Sequence, residues 1–117
     1  MTMDADAQRE RERNERARAT QAAAAHAFER LLTLAEQRDS GQIRHVVRFL
    51  ASSYNGEAFP FDLFELRAVD IEISDDMLVC LDALRWAKAD LFKLVPDGEK
   101  RVQRAIEAWG LPWPKDG

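Results

Sequence analysis

Asp70, Glu72, Ser74 and Asp76 place an oxygen at every second position, the spacing at which a helix–loop–helix calcium loop supplies its ligands. The rest of that loop is missing. Its sixth position needs glycine for a sharp turn and is Asp75 here, and its twelfth needs a bidentate glutamate and is Leu81. Helix capping and a solvated acidic turn account for the same residues, so no metal site is expected. Arg38-Asp39, followed by five residues and His45, offers a cation and an imidazole as a second candidate pair. Gly41 interrupts this segment, leaving the arginine before a helix start and the histidine inside one. The plainer reading is a boundary arginine and a partly exposed histidine. His26 has no His or Cys one turn away, and Cys80 has no sequence neighbour to lower its pKa; both read as packing residues. The chain has no glycine-rich phosphate loop, no nucleophile elbow and no Cys/His cluster. The expectation is a binding protein without cofactor, not an enzyme.

Charge is the stronger signal. The net charge is −4, but the distribution along the chain matters more than the total. From Glu57 to Asp82 eight acids stand against the single base Arg67, a local net of −7. From Arg85 to Arg104 six bases, Lys88 among them, stand against three acids, a local net of +3. The acidic run, with Glu65, Asp70, Glu72, Asp75, Asp76 and Asp82 as its candidate binding residues, reads as a carboxylate face offered to a basic protein, or more simply as a solvated surface. The alternative set is Arg44, Arg48, Lys100, Arg101 and Arg104, which could neutralise phosphates in a small DNA-binding regulator. A −7 stretch in the same small domain would repel DNA unless it faced away, so nucleic acid is the disfavoured partner.

The elements that must position these groups are helical. Hydrophobic residues at 46% and charged residues at 32% are globular values. Residues 8–20 are charged all round a helical wheel, with Glu12 to Arg16 and Arg11 to Glu15 at the i,i+4 spacing of opposite charges. Ala24, Phe28, Leu31, Leu32 and Ala35 then form a core-facing stripe, which predicts one long first helix whose N-terminal half projects into water. That stripe is too short to establish a zipper, so a homo-oligomer through this helix stays open. Ile43, Val46, Val47, Leu50, Ala51 and Tyr54 predict a second helix, capped by Asp39 or Ser40 and stopped by left-handed Asn55-Gly56. Asp62 and Glu65 outline a capping box for a short helix through Val69. Ser74 is expected to cap a third helix, with Asp75 and Asp76 in its first turn and Ile73 stapled on Leu78. That helix is apolar on most sides and is expected to be the central one. Residues 88–96 are ambiguous between helical and extended. Asp97 should cap a last helix carrying Val102, Ala105, Ile106 and Trp109, closed by a Schellman turn at Gly110, with Trp113 packed on the body. The fold class is therefore all-α, a compact bundle of four to five helices with a protruding charged N-terminal helix. Its boundaries fall at 1–22 (extension), 23–113 (domain) and 114–117 (tail). A single cysteine, no signal-type N-terminus and no membrane-length apolar run point to the cytoplasm.

Two resemblances add to this. The Arg38 to His45 segment resembles the loose arginine–histidine pattern of the HEPN ribonucleases, small helical bundles that act on RNA phosphates. The run from Ala27 to about Trp113 resembles an uncharacterised family, a domain of unknown function, of small proteins from proteobacterial plasmids and integrative mobile elements. It is carried by AFERLLTLAE, Asp39-Ser40-Gly41-Gln42, RFLASSYNG, FDLFELRAVD and ISDDM, in that order. The sequence departs from that pattern at Ser52-Ser53, where aromatic residues are frequent, and at His45, where Arg is usual. The resemblance implies a bacterial, cytoplasmic, accessory protein carried on mobile DNA and assigns no catalytic residue. Together these readings give a protein-interaction module, an inhibitor or adaptor such as an anti-defence protein, that presents its acids to a basic bacterial protein. A DNA-binding regulator is the alternative and a HEPN-like ribonuclease the third.

Overall fold

The computed structural model describes residues 2–86 and 89–114. Four α-helices run in order: α1 (Thr2–Gln37), α2 (Gly41–Tyr54), α3 (Ile71–Leu84) and α4 (Gly98–Ala108). Two short 3₁₀ segments, Leu63–Ala68 and Leu91–Leu94, fill the connections, and no strand occurs among the described residues. The all-α bundle is as expected. Lys88 and residues 115–117 of the tail lie outside the described residues.

Residues 4–16 of α1 are exposed along their length, a stretch of about 20 Å at the helical rise, and the molecule measures 57 × 36 × 28 Å. This segment helps hold its own shape through short-range pairs, Arg9 to Asp6 at 2.9 Å and Gln8 to Glu12 at 3.3 Å. The anticipated Glu12 to Arg16 pair does not form, because Arg16 turns over the Trp86 ring instead, 5.6 Å from its centroid. Burial starts at the next residue, Ala17, and from Ala24 onward the stripe Ala24, Ala27, Phe28, Leu31 and Leu32 is fully enclosed. α2, α3, α4 and the Leu91–Leu94 turn all pack on α1. The central helix is therefore α1 and not α3, because only α1 is long enough to meet all three other helices with one continuous apolar face.

α3 differs from expectation at its start as well. It begins at Ile71, with Asp70 at the N-cap. Asp70 is fixed by Gln42 of α2, whose side-chain oxygen accepts from the Asp70 N–H at 2.9 Å and whose amide donates to its carboxylate at 3.1 Å. Ser74 is consequently inside the helix and buried, its hydroxyl donating to the Ile71 carbonyl at 3.0 Å. The staple is not made either, since Ile73 points into the core while Leu78 is 52% exposed. At the end of α2, Asn55 is extended (φ −151°) and not left-handed; its side chain accepts from the Ala58 N–H at 3.0 Å and so turns the chain by a different device.

Ser40 and Asp97 occupy the N-caps of α2 and α4 without a side-chain cap hydrogen bond; the other local readings hold. Asp62 and Glu65 form the capping box, on a 3₁₀ turn that buries none of its side chains. Asp97 is the N-cap of α4, in the left-handed region at φ 53°. The following Gly98 has no substitute, because a Cβ there would fall 1.8 Å from the Phe92 carbonyl oxygen. Gly110 is left-handed (φ 67°), with Leu111 N–H donating to the Ile106 carbonyl and Gly110 N–H to that of Glu107, the Schellman pair. Trp113 rests edge-on against Phe59 with ring centroids 4.7 Å apart.

Because the body is built on the second half of α1, removing residues 1–14 should leave its thermal unfolding midpoint unchanged, whereas Phe28→Ala should cost about 3–5 kcal/mol. Circular dichroism melts and urea titrations of the two variants check both.

Candidate interaction surface

Each successive residue of α3 is rotated by one step of the 3.6-residue turn, so its carboxylates are sorted by direction. Ile73, Met77, Cys80 and Ala83 face the core. Ile71 and Leu78, two turns apart, face water and are 71% and 52% exposed. Asp75 and Asp82 lie alongside them, and Glu72 and Asp76 come next around the helix toward α1. Asp76 is not free: Arg30 of α1 grips it with two hydrogen bonds of 2.9 and 2.8 Å, and its side chain is only 15% exposed. This pairing also holds the Arg30 guanidinium above its ordinary pKa. Asp70 is held by Gln42, and Asp82 by Arg85 at 2.6 Å. Glu65 accepts from His45 at 2.7 Å and lies 3.5 Å from Arg48. Of the six candidate acids, Glu72 and Asp75 have no ion pair or side-chain hydrogen bond among the described residues. Between α1, α2 and α3 runs a groove of about 480 Å³ with Leu34, Ile43 and Ile73 in its floor and Arg38, Glu72 and the Arg30–Asp76 pair on its rim.

The basic candidates divide in the same way. Arg101 is a fastener: its side chain is 14% exposed and bonds Glu36 twice at 2.9 Å, Glu29 at 2.7 Å and the Pro96 carbonyl at 3.2 Å. The bonds to Glu29 and Glu36 raise its pKa, and its own bonds hold the Glu29 carboxyl below its ordinary value of 4.5. A guanidinium with its donors already occupied has none to give a phosphate, so Arg101 leaves the DNA-binding set. Arg44, Lys100 and Arg104 are exposed, and Arg48 is 46% exposed. Arg38 sits exposed on the groove rim, while His45 is turned to Glu65 on the Leu63–Ala68 turn. His26 is exposed, contrary to the packing role expected of it, because its position falls just outside the buried stripe of α1. Cys80 is fully buried, and desolvation pushes its thiol up to about 12, as expected for a packing residue. Among the described residues no cluster of His, Cys, Asp or Glu could hold a metal ion, and no helix is long and apolar enough to cross a membrane.

The sequence reading missed the apolar part of this surface. Leu63, Phe64, Ile71, Leu78 and Leu84 are all large and exposed, and all fall in or just beyond the acidic run. The signal was present in α3, which is apolar on more sides than one core face can use, but it was assigned to the core.

Arg101→Ala should destabilise the fold by about 1–2 kcal/mol, a moderate figure because both partner glutamates are more than a third exposed. Since the Glu29 carboxyl is depressed in the folded state, its contribution is complete above pH 4.5 and is lost as the pH falls below that value. Urea titrations at neutral pH and at progressively lower pH should show the gap between wild type and variant closing in acid.

The family model described as a family of unknown function, DUF7673, matches residues 25–110. No curated protein and no solved structure matches the chain.

Proposed function

We propose that this chain, which belongs to the DUF7673 family, is a non-enzymatic, cytoplasmic protein-interaction module of a bacterial mobile element. In this reading it is an inhibitor or adaptor, and the face formed by residues 63–84 docks a basic bacterial protein. One observation carries the reading: of the six large hydrophobic residues exposed among the described residues, five, Leu63, Phe64, Ile71, Leu78 and Leu84, lie on or just beyond the segment that also carries the acids. Ile71 and Leu78 share the outer face of α3 with Asp75, and exposed apolar side chains beside a free carboxylate mark interaction surfaces. They supply the burial that drives association, while the carboxylates set on-rate and partner choice in favour of positive charge. Glu72 and Asp75, left unpaired by the fold, are the two acids best placed to do so. The setting on mobile DNA rests on the sequence resemblance alone.

The DNA-binding alternative has less support, because Arg101 is committed to Glu29 and Glu36. Self-association through the N-terminal helix also has little, since residues 4–16 include no apolar side chain larger than alanine.

The test is affinity capture from a proteobacterial lysate at moderate salt, with wild type beside Glu72→Lys, Asp75→Lys. Asp76 is left alone because it holds Arg30. A basic protein bound by wild type, lost from the folded variant and released by salt is the expected result. Identical capture by both forms, or no capture, refutes the reading, and DNA retardation by wild type would then favour the alternative.

A further inference from the structure

Two polar links bound the groove between α1, α2 and α3 at its ends. At one, Arg30 of α1 grips Asp76 of α3; at the other, Gln42 of α2 holds Asp70 at the N-cap of α3. Asp70 and Asp76 are six residues apart on α3, about 9 Å at the helical rise, which takes two or three extended residues at about 3.3 Å each. The volume of about 480 Å³ falls among those of small-ligand sites, about 300–1,000 Å³. A longer chain passing through would have to climb over one of the links, so the space suits a short molecule.

The floor, Leu34, Ile43 and Ile73, is apolar and attracts hydrocarbon. On the rim, Arg38 belongs to the α1 side and Glu72 to the α3 side. Neither makes an ion pair or side-chain hydrogen bond among the described residues, with the other or with anything else. The other charges are already matched: Arg30 with Asp76, and Glu29 with Arg101 from outside the groove. Asp70 accepts from Gln42 and keeps its negative charge on the side of Glu72.

We infer that this groove is a binding site for a short zwitterionic molecule with aliphatic side chains, such as a dipeptide, whose carboxylate meets Arg38 and whose ammonium group meets Glu72. The inference goes beyond the docking face and does not depend on it. Charge selects the ligand class. A neutral apolar molecule would cover both charges and pair neither, which is costly. A cation alone meets Arg38 with like sign, and an anion alone meets Glu72 and Asp70 in the same way. A molecule with opposite charges at its two ends and an aliphatic body between them matches both rims and the floor, and the guanidinium fork of Arg38 fits a carboxylate with two parallel hydrogen bonds.

The probe is the dipeptide leucyl-leucine, titrated into the whole chain and followed by backbone amide NMR shifts, with circular dichroism to confirm that each variant folds. Saturable shifts should gather around Leu34, Ile43 and Ile73. Arg38→Gln and Glu72→Gln should each weaken binding about tenfold, the loss of one hydrogen bond between charged groups. Amidating the peptide's carboxylate should weaken binding to wild type and remove the effect of Arg38→Gln, and acetylating its amine should do the same for Glu72→Gln. Glycyl-glycine, with the same charges and no side chains, should bind about tenfold more weakly still than leucyl-leucine or not at all. Absent or non-saturable shifts, shifts elsewhere on the molecule, equal binding by glycyl-glycine, or unchanged affinity in both variants overturns the inference. Asp75→Lys lies outside the groove and should leave peptide affinity unchanged while it weakens capture of a basic protein, so the two sites fail separately; a tenfold loss of peptide affinity in that variant also overturns the groove site.

Discussion

Ala24, Ala27, Phe28, Leu31, Leu32 and Ala35 form a single face of α1, and α2, α3, α4 and the Leu91–Leu94 turn all rest against it. Each large side chain on that face contributes about 1.5–3 kcal/mol of burial, and its alanines let neighbouring backbones approach. The dependence runs one way. The other helices are 11 to 14 residues long, a length at which isolated helices are marginal in water, so their order comes from packing on α1. The exposed half of the same helix has no such role and is helical by continuation.

Charge acts on this frame as a set of cross-links. Arg101 ties α4 to α1 through Glu29 and Glu36, Arg30 ties α1 to α3 through Asp76, and Gln42 with Asp70 ties α2 to the start of α3. All lie at the edges of the core, where partial exclusion of water strengthens them without the full desolvation cost of a buried pair. The same links sort the ionisable residues into those that hold the bundle together and those left for a partner. A charge count along the chain cannot make that division, because it assigns equal weight to Asp75 and Asp76, and to Arg101 and Arg104.

The docking face is what remains once those demands are met. α3 spends Ile73, Met77, Cys80 and Ala83 on the core and still has Ile71 and Leu78 outside, beside the unpaired Asp75. The Leu63–Ala68 turn buries none of its side chains, so Leu63 and Phe64 also stay outside the core. A polar outer face would have served solubility alone; apolar and acidic residues together form a surface with both a driving force and a sign preference.

The local features were legible in the sequence: the all-α class, the stripes of α1, α2 and α4, the Asp62–Glu65 box and the Schellman turn at Gly110. Each is set by residues within a turn or two of one another, where periodicity and backbone preference decide. What the sequence misjudged depended on contacts between distant residues. Gln42 fixes the N-cap of α3 at Asp70 in place of Ser74, the reach of α1 makes it the central helix in place of α3, and Glu29 and Glu36 remove Arg101 from the free cations. The sequence by itself determined which residues could be helical and which could carry charge. Only the tertiary structure decided which apolar side chains stay outside and which charges stay unpaired, because both depend on how much of each helix its neighbours have room to cover.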